Sequence, residues 1–373
     1  MAGSSYGTIF RVTTWGESHG KGIGAVVDGC PAGLPLSEED IQAYLDRRKP
    51  GQSKFTTARQ EGDQVEILSG VFEGKTTGTP IALEVRNKDQ RSKDYGNIMD
   101  VYRPGHADYT FDQKYGFRDY RGGGRSSGRE TAGRVAGGAV AAKLLESLGI
   151  RVYAYTRSIG PIEIAPERMD LAERDKNRLY MPDAQAALEA EAYLEQLMAE
   201  KDSSGGVVEC VIEGLPAGIG EPVFEKLDAN LAKAILSIGA VKGFEIGSGF
   251  GAAAMRGSEN NDAFAAASRG GAFPAAVKRT NHAGGTLGGI SDGSPVIFRA
   301  AFKPTPSIAR PQHTVDRFGR EQEIEIRGRH DPIIVPRAVV VVEAMAALTA
   351  ADLLLLSMSS RLDRIQAFFG TGE

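Results

Sequence analysis

The sequence contains the run Arg121-Gly-Gly-Gly-Arg-Ser-Ser-Gly-Arg-Glu-Thr131, which leads directly into an Ala/Gly/Val/Leu-rich segment ending at Leu148. This segment predicts a helix from about Arg129 to Leu148, with Gly149 as its C-terminal stop. Small side chains recur along the helix, so neighbouring elements can approach it closely. We therefore expect the helix to lie inside the fold, with the Gly/Arg-rich run at its N-terminal end.

The same run has the composition of an anion-binding loop. Consecutive glycines permit positive φ and close approach of the backbone to a ligand. Guanidinium and hydroxyl groups suited to phosphate or carboxylate come from Arg125, Ser126, Ser127, Arg129 and Arg134. The N–H groups of the helix start would also favour an anion. The alternative is structural, because Ser127-x-x-Glu130 is also a capping-box pattern.

Composition is that of an ordinary globular enzyme. The chain has 373 residues, 41% of them hydrophobic, and a formal net charge of -4. Positive charge is concentrated in residues 86–134, where 11 Lys/Arg stand against 7 Asp/Glu, a local excess of 4. An acidic protein is a poor candidate for general nucleic-acid binding, so we expect no nucleic-acid partner.

Cysteine usage and hydropathy predict a cytoplasmic protein without a membrane span. Cys30 and Cys210 lie far apart, which suggests neither a disulfide framework nor a zinc motif. The N-terminus lacks the pattern of a secretory signal. The apolar segment that begins near Ala338 is interrupted by Glu343 and Asp352, so it predicts a buried helix.

The order of the predicted elements favours an α+β fold with antiparallel sheets over a βαβ repeat. Strand patterns occur at 5–13, 22–28, 52–86, 206–213, 295–301 and 322–327. Helices are predicted after Ser37, at 129–148, 183–201 and 222–235, and from Pro336 onward. The segment 87–120 is longer than an ordinary connection between two elements, so it predicts a functional loop.

Three loop residues are candidates for proton transfer. His19 lies in the glycine-bounded loop Gly16–Gly20, and His106 follows Arg103-Pro-Gly105. Both histidines are next to groups that suit an anion. A lone histidine, however, is more often a polar residue with satisfied hydrogen bonds than a catalytic group. Asp331 precedes a predicted helix and either caps it or acts as an acid–base group. The five histidines show no metal-ligand spacing, so no metal is expected.

Eight motifs, spread in order over almost the entire chain, resemble those of the chorismate synthase family. They are Gly16-Glu-Ser-His-Gly20, Arg47-Arg-Lys-Pro-Gly-Gln-Ser53, Asp89-Gln-Arg-Ser92, Arg103-Pro-Gly-His-Ala-Asp-Tyr109, the Arg121–Thr131 run, Gly284-Gly-Thr-Leu-Gly-Gly-Ile-Ser291, Lys303-Pro-Thr-Pro-Ser307 and Arg327-Gly-Arg-His-Asp-Pro332. A match distributed in this way is far more specific than any one glycine-rich run.

The resemblance implies one catalytic domain over residues 1–373. The implied fold is a β-α-β sandwich with central helices between two antiparallel sheets, assembled as a homotetramer. The implied reaction is the 1,4-anti elimination of phosphate and the C6 hydrogen from 5-enolpyruvylshikimate 3-phosphate (EPSP), which gives chorismate. It requires reduced FMN without net redox change, because the flavin lends an electron and recovers it. NADPH would act only indirectly, through a separate flavin reductase.

The resemblance also implies roles for particular residues. His19 protonates the departing phosphate, His106 protonates the reduced flavin, and Asp331 works with flavin N5. EPSP contacts fall on Arg48, Lys54, Arg129, Arg134 and Arg337. FMN contacts fall on Arg125, Ser126, Ser127, Gly239, Ala240, Gly288, Lys303, Pro304, Thr305, Pro306, Ser307 and Arg329.

Two details of this assignment stand apart. Arg48 and Lys54 match positions that some family descriptions give to a nicotinamide nucleotide, but we expect them to serve the substrate or the loop. Gly239 replaces an amide side chain common in the family, so one hydrogen bond near the flavin is expected to be missing. Two alternative functions are an Arg/Gly-mediated RNA-binding protein and a flavin oxidoreductase that consumes a nicotinamide cofactor stoichiometrically.

Overall fold

The computed structural model describes residues 3–52, 54–56, 61–88, 98–121, 123–267, 275–326 and 331–370. The predicted cofactor residue Arg329 and the motif Asp89–Ser92 lie outside these residues. The helices are α1 (Glu38–Arg48), α2 (Asp108–Tyr115), α3 (Thr131–Glu146), α4 (Ala184–Ala199), α5 (Leu227–Leu236), α6 (Gly257–Asn260), α7 (Val335–Leu356) and α8 (Leu362–Phe369). The strands are β1 (Ser5–Tyr6), β2 (Arg11–Gly16), β3 (Gly22–Asp28), β4 (Val65–Ile67), β5 (Val71–Phe72), β6 (Lys75–Thr76), β7 (Ile81–Arg86), β8 (Arg151–Ile159), β9 (Ile162–Glu163), β10 (Gly206–Glu213), β11 (Val241–Ile246), β12 (Phe264–Ala267), β13 (Ala275–Lys278), β14 (Thr286–Leu287), β15 (Ile290–Ser291), β16 (Val296–Phe302), β17 (Pro311–Val315) and β18 (Glu321–Glu325).

Two five-stranded sheets carry most of the strand residues. Their orders are β1-β2-β3-β7-β4 and β11-β16-β10-β8-β9. The pairings within both sheets are antiparallel, and in the second sheet Cys210 lies between Phe298 and Ala154. The prediction of mixed helices and strands with antiparallel sheets is confirmed.

Helices α3 and α7 pack against each other, and each also packs on a sheet. Helix α3 contacts β2, β3 and β7, and α7 contacts β8 and β10. Small residues make this possible: a Cβ on Gly138 would lie 2.4 Å from Ala344 Cβ, and one on Gly133 would lie 2.7 Å from Gly24 O. The predicted close packing of α3 is confirmed, since alanine at either glycine would overlap a neighbouring residue.

Helix α7 is the apolar core helix that the C-terminal sequence predicted. By length and hydropathy, Val335–Ser359 is one segment of the described chain that could cross a membrane, but 83% of its most apolar window is buried inside the protein. Its one glutamate, Glu343, accepts two hydrogen bonds from Arg47, at 2.6 and 2.8 Å, and one from Ala154 N at 2.8 Å. This buried carboxylate therefore joins α7 to α1 and β8.

Several boundaries differ from the sequence prediction. The segment predicted as a strand at 5–13 is broken after Tyr6 by a turn in which Gly7 has φ +92°. The long loop predicted at 87–120 contains helix α2, whose end is set by Gly116 at φ +78°. The helix predicted at 222–235 begins only at Leu227, because Val223 adopts φ +68°. Strand β8 was not predicted.

Candidate active site

The loop that carries His19 connects β2 to β3 and is closed tightly. Gly16 has φ +89°, and a Cβ at this position would lie 2.2 Å from Gly22 O, so only glycine fits. Gly20 N donates to Glu17 O at 3.1 Å, which closes the turn around a half-buried His19. The pKa of Asp119 is lowered, mainly by its hydrogen bond from Arg121 and to a lesser extent by His19. The imidazole therefore lies near this carboxylate.

Two of the predicted substrate arginines share one buried carboxylate. Arg48 Nη1 donates to Asp63 Oδ2 at 2.8 Å, and Arg129 Nη1 donates to Asp63 Oδ1 at 2.7 Å. Burial alone would raise the pKa of Asp63, but the two guanidinium groups outweigh it and hold that pKa below its usual range. Burial lowers the pKa of Arg48 to about 10, against the opposing effect of Asp63. Arg48 and Asp63 are therefore both charged at neutral pH.

Arg129 retains one buried donor for a ligand. Its Nε donates to Asn87 Oδ1 at 2.6 Å, and its Nη2 lies 3.7 Å from Glu61 Oε2. Among the described residues this Nη2 has no hydrogen-bond acceptor, although it is buried. A buried donor left in this way costs free energy unless something accepts from it. The atom is thus suited to an oxygen of a bound anion.

Asp331 contacts the side chain of Arg337, in the first turn of α7, and does not occupy the N-cap position of that helix. Arg337 Nη1 donates to Asp331 Oδ2 at 2.7 Å, and Arg337 Nε donates to Arg48 O at 3.0 Å. The N-cap position of α7 is Ile334, and no side chain caps this helix. The interpretation of Asp331 as a helix cap is therefore wrong. The structure instead brings Asp331 and Arg337 to the arginine cluster around Arg48.

The other two cations that were predicted to bind the substrate, Arg134 and Lys54, have different surroundings. Arg134 pairs with Glu130 at 3.0 Å and donates to Ser237 Oγ at 2.6 Å, two residues before Gly239. Lys54 is exposed and pairs with Glu195 on α4. Within the described part of the chain, no hydrogen bond or ion pair joins Lys54 to the arginines, so the structure does not bring it into their cluster.

Arg125 differs from these cations because no carboxylate of the described chain pairs with it. Its guanidinium donates to Thr14 Oγ1 at 2.7 Å and to Gly16 O at 3.1 Å. Ser126 Oγ donates to Gly123 O, and Ser127 Oγ accepts from Arg129 N at 3.3 Å. The interpretation of Ser127 as a structural cap is thus correct for the turn before α3. Arg125, beside the His19 loop, has no ion-pair partner within the part of the chain that the structure describes.

His106 forms a second group with the segment after β16. A carbonyl oxygen only accepts, so the 3.0 Å contact between His106 Nδ1 and Pro104 O requires a proton on Nδ1. In the neutral ring, Nε2 then accepts from Ser307 Oγ at 2.8 Å. Arg103 and Asp108 lie on either side of His106 in the sequence. Their side chains are joined to each other by buried hydrogen bonds of 2.8 and 2.9 Å. This clamp fixes the loop that presents the imidazole.

Lys303 and Thr305 present polar groups without carboxylate partners. Lys303 Nζ donates to Gly105 O at 2.7 Å, and its pKa is lowered by burial and by the nearby Lys242 cation. In the described residues, neither an ion-pair partner for Lys303 nor a hydrogen-bond partner for the buried Thr305 Oγ1 is found. Lys303 N also donates to Ala240 O at 3.0 Å. A Cβ on the adjacent Gly239 would meet nothing within 4 Å, so the missing amide leaves open space.

Two hydrogen bonds and the short chain segments between them link the two groups. Ser203 Oγ donates to Thr305 O at 2.7 Å, and Ser204 N donates to Pro332 O at 3.0 Å, next to Asp331. The segment of Lys303 to Ser307, which contacts His106, is thus linked to the segment of Asp331, which pairs with Arg337 of the arginine cluster. The catalytic roles of these residues stay predictions.

Gly288 is separated from the other predicted cofactor residues. Leu227 N, at the first residue of α5, donates to Gly289 O at 2.8 Å. Ala240 follows the opposite end of that helix, and ten residues of α-helix span about 15 Å. Gly288 has φ +62° and faces open space. Within one chain it thus lies about a helix length from Ala240 and Lys303.

Three positioning contacts were not predicted from the sequence: Asp63 between the arginines, Asn87 on Arg129, and the Arg103–Asp108 clamp. Arg103 and Asp108 lie within a quoted motif, so their proximity to His106 was a usable signal. Asp63 and Asn87 belong to no motif of that kind.

Comparison with known proteins agrees with this geometry. The sequence profile of the chorismate synthase family matches residues 10–355. The chain is 68% identical to the chorismate synthase of Agathobacter rectalis and 65% identical to that of Lachnoclostridium phytofermentans, each over 369 residues that cover 99% of this chain and at least 99% of the relative. It also superposes on a crystal structure of chorismate synthase with a TM-score of 0.76 at 34% identity, covering 98% of this chain and 97% of that one. The chain therefore belongs to the chorismate synthase family.

Proposed function

We propose an assignment of residues to the reaction of this family, the elimination of phosphate and the C6 hydrogen from EPSP to give chorismate. The chain is a carbon–oxygen lyase acting on phosphates. One observation supports the assignment above all: the Asp63-linked pair Arg48 and Arg129 lies in the same hydrogen-bonded set as Asp331. Buried guanidinium groups held in fixed orientations suit a small polyanion.

EPSP carries two carboxylates and a phosphate, so it needs several fixed cations. Arg48, Arg129, Arg134 and Arg337 are the proposed anchors, and each already has a carboxylate partner in its own chain. These pairs orient the guanidinium groups before the ligand arrives, which lowers the entropic cost of binding. Arg129 Nη2 is the donor that we assign directly to a substrate oxygen. Lys54 is exposed, and we assign it to the loop rather than to the substrate.

The polar groups left without partners in the described chain fit a flavin phosphate and ring. Within the described residues, Arg125 and Lys303 have no carboxylate partner, and the buried Thr305 Oγ1 has neither acceptor nor donor. We propose that FMN is held by Arg125 to Ser127, Gly239, Ala240 and Lys303 to Ser307, together with Arg329, which lies outside the described residues. When bound, reduced FMN supplies an electron-rich ring that assists the departure of phosphate and accepts the C6 hydrogen without net redox change.

The chain's own part in catalysis is to supply protons and to hold the ligands in place. His19, in its closed loop, would protonate the departing phosphate. His106 would donate toward the cofactor from Nε2 once that nitrogen also carries a proton, in place of the hydrogen bond that it accepts from Ser307 in the neutral ring. Asp331, paired with Arg337, would hold a proton near the flavin. Imidazoles suit this work because their pKa lies near the working pH.

The same proposal includes a homotetramer of β-α-β sandwiches, each a single catalytic domain over residues 1–373. The contacts of α3 and α7 with opposite sheets support the sandwich. The separation of Gly288 from Ala240 is compatible with an assembly in which Gly288 contacts a flavin held by a second copy. Flavin reduction by NADPH through a separate reductase, and a cytoplasmic location, complete the proposal.

The decisive experiment uses the purified protein with EPSP and reduced FMN under anaerobic conditions. Chorismate should form over many turnovers for each FMN, because the electron returns to the cofactor. Absence of chorismate, or oxidation of one FMN for each chorismate formed, would contradict the proposal. Replacing FMN with NADPH alone should give no product, which separates the lyase from a nicotinamide-consuming oxidoreductase.

A further inference from the structure

The side chain of Asn87 connects the loop of His19 to the guanidinium of Arg129. Its Nδ2 donates to Glu17 O at 3.0 Å and to Gly20 O at 2.9 Å, so it holds both ends of the four-residue turn. Its Oδ1 accepts from Arg129 Nε at 2.6 Å. The carboxamide of Asn87 thus contacts both the loop of His19, the predicted proton donor, and Arg129, a predicted substrate anchor.

The backbone fixes Asn87 at this place. It follows the last residue of β7, where Arg86 pairs with Gly22 of β3. Asn87 N donates to Lys21 O at 3.1 Å, so the strand pairing continues into the loop. The side chain is therefore carried by the sheet, which is more rigid than the loop that it holds.

We propose that Asn87 is a positioning residue for the lyase reaction, an inference that rests on the function proposed above. Its amide sets the distance between His19 and the substrate held by Arg129. Both halves of the amide are needed: the NH₂ group fixes the loop, and the carbonyl oxygen fixes Arg129. Aspartate has nearly the same shape but cannot donate a hydrogen bond. It would keep the contact with Arg129 and lose both contacts with the loop.

This chemistry predicts a separation of kinetic effects. In Asn87→Asp, turnover should fall by roughly 10-fold to 100-fold, because small misplacement of a catalytic group costs about that much. The KM for EPSP should rise less than in Asn87→Ala: Arg129 keeps its acceptor, although the new carboxylate adds negative charge near an anionic substrate. In Asn87→Ala both contacts are lost, so turnover should fall and the KM for EPSP should rise.

A structural control exists in the same chain. Asn177 Nδ2 also donates to two backbone carbonyls, Glu173 O at 2.9 Å and Met181 O at 2.8 Å, in a loop outside the site. Asn177→Asp should lower the melting temperature about as much as Asn87→Asp while leaving turnover unchanged. Equal losses of turnover in the two variants would overturn the proposal, because the effect would then be general loosening of the fold.

A double-mutant cycle tests whether Asn87 acts through His19. In the His19→Ala background, adding Asn87→Asp should cost no further turnover, since the positioned group is gone. A further loss equal to that in the wild-type background, or full turnover in Asn87→Asp alone, would refute the role. Wild-type chorismate formation is measured in the same assay. If wild type forms no chorismate the proposed function fails, whereas active wild type with an additive cycle refutes only the role of Asn87.

Discussion

Asp331 accepts a 2.7 Å hydrogen bond from Arg337, and Arg337 in turn donates to the backbone carbonyl of Arg48. The carboxylate is thus fixed by a cation of the site, although it lies only a few residues before α7. Among the described residues no side chain caps α7, so Asp331 contacts the helix start through Arg337 and not as its cap. An acid–base role for Asp331 stays a prediction.

Replacement of Asp331 by asparagine separates proton transfer from geometry. Asparagine keeps the shape and can still accept from Arg337, but it cannot take up and release a proton. We expect Asp331→Asn to retain its melting temperature and its binding of FMN and EPSP, and to lose at least about 10-fold in turnover. Turnover at saturating FMN and EPSP, with thermal unfolding in parallel, checks this. Full activity would leave Asp331 as a structural partner of Arg337.

Removal of either imidazole should affect chemistry more than folding. His19→Ala and His106→Ala should each lose roughly 10²–10⁴-fold in turnover, the usual scale for a general acid or base. His313 on β17 is exposed and serves as the control, because His313→Ala should leave turnover unchanged. Near-wild-type turnover in one of the first two variants would remove that histidine from the mechanism.

The sequence predicted those parts of the fold that depend on local patterns. Strand β10 was predicted with its observed bounds, because its apolar residues are bounded by Gly206 and Gly214. Helix α1 was predicted from Ser37, and Ser37 N indeed donates to Asp40 Oδ2 at 2.9 Å. Helix α2 was missed because it has no buried apolar face that a sequence pattern could reveal, and Asp108 is its one buried residue.

The site was predictable only where its residues form motifs. His19, His106 and Arg129 lie in motifs that could be recognised, and hydrogen bonds join Arg129 to Arg48 through Asp63. Asp63 and Asn87 were missed because they meet Arg129 across 66 and 42 residues of chain, a proximity that only sheet and helix packing creates. Gly288 shows the converse, since its motif was recognised but the fold of one chain holds it apart from Ala240.

Lys303 should contribute its charge to FMN binding. We expect Lys303→Met to weaken FMN binding by roughly 10-fold to 100-fold, the scale of a lost hydrogen bond to a charged group. Lys176, an exposed lysine paired with Glu173, provides the control, and Lys176→Met should bind FMN normally. FMN titration in the presence of EPSP measures both. Unchanged affinity in Lys303→Met would remove this lysine from the cofactor site.

The pH dependence of that binding follows from the lowered pKa of Lys303. Burial and Lys242 favour the neutral amine, so the charge is lost at a lower pH than in an ordinary lysine. FMN affinity should therefore fall as the pH rises toward that lowered pKa. Lys303→Arg should keep its affinity at alkaline pH, because arginine remains protonated there. Parallel loss of affinity in wild type and Lys303→Arg would assign the titration to another group.

Asp63 should make the fold sensitive to acid. Its pKa is lowered in the folded protein because Arg48 and Arg129 outweigh the effect of burial. The stabilisation is therefore fully present above the unfolded-state pKa, about 3.9 for aspartate, and is lost as the pH falls toward the lower folded value. Asp63→Asn removes one partner of a buried ion pair, which typically costs about 3–5 kcal/mol at neutral pH.

Urea unfolding of wild type and Asp63→Asn at pH 7 and at acid pH tests this assignment. The difference in unfolding free energy should be largest at neutral pH and should shrink by about 1.4 kcal/mol for each pH unit below the unfolded-state value, until the folded pKa is reached. Asp28→Asn is the control, because Asp28 forms an exposed pair with Arg11 and such pairs contribute at most about 1 kcal/mol. If the difference in unfolding free energy between the wild type and Asp63→Asn does not depend on pH, then Asp63 holds the two arginines by shape rather than by charge.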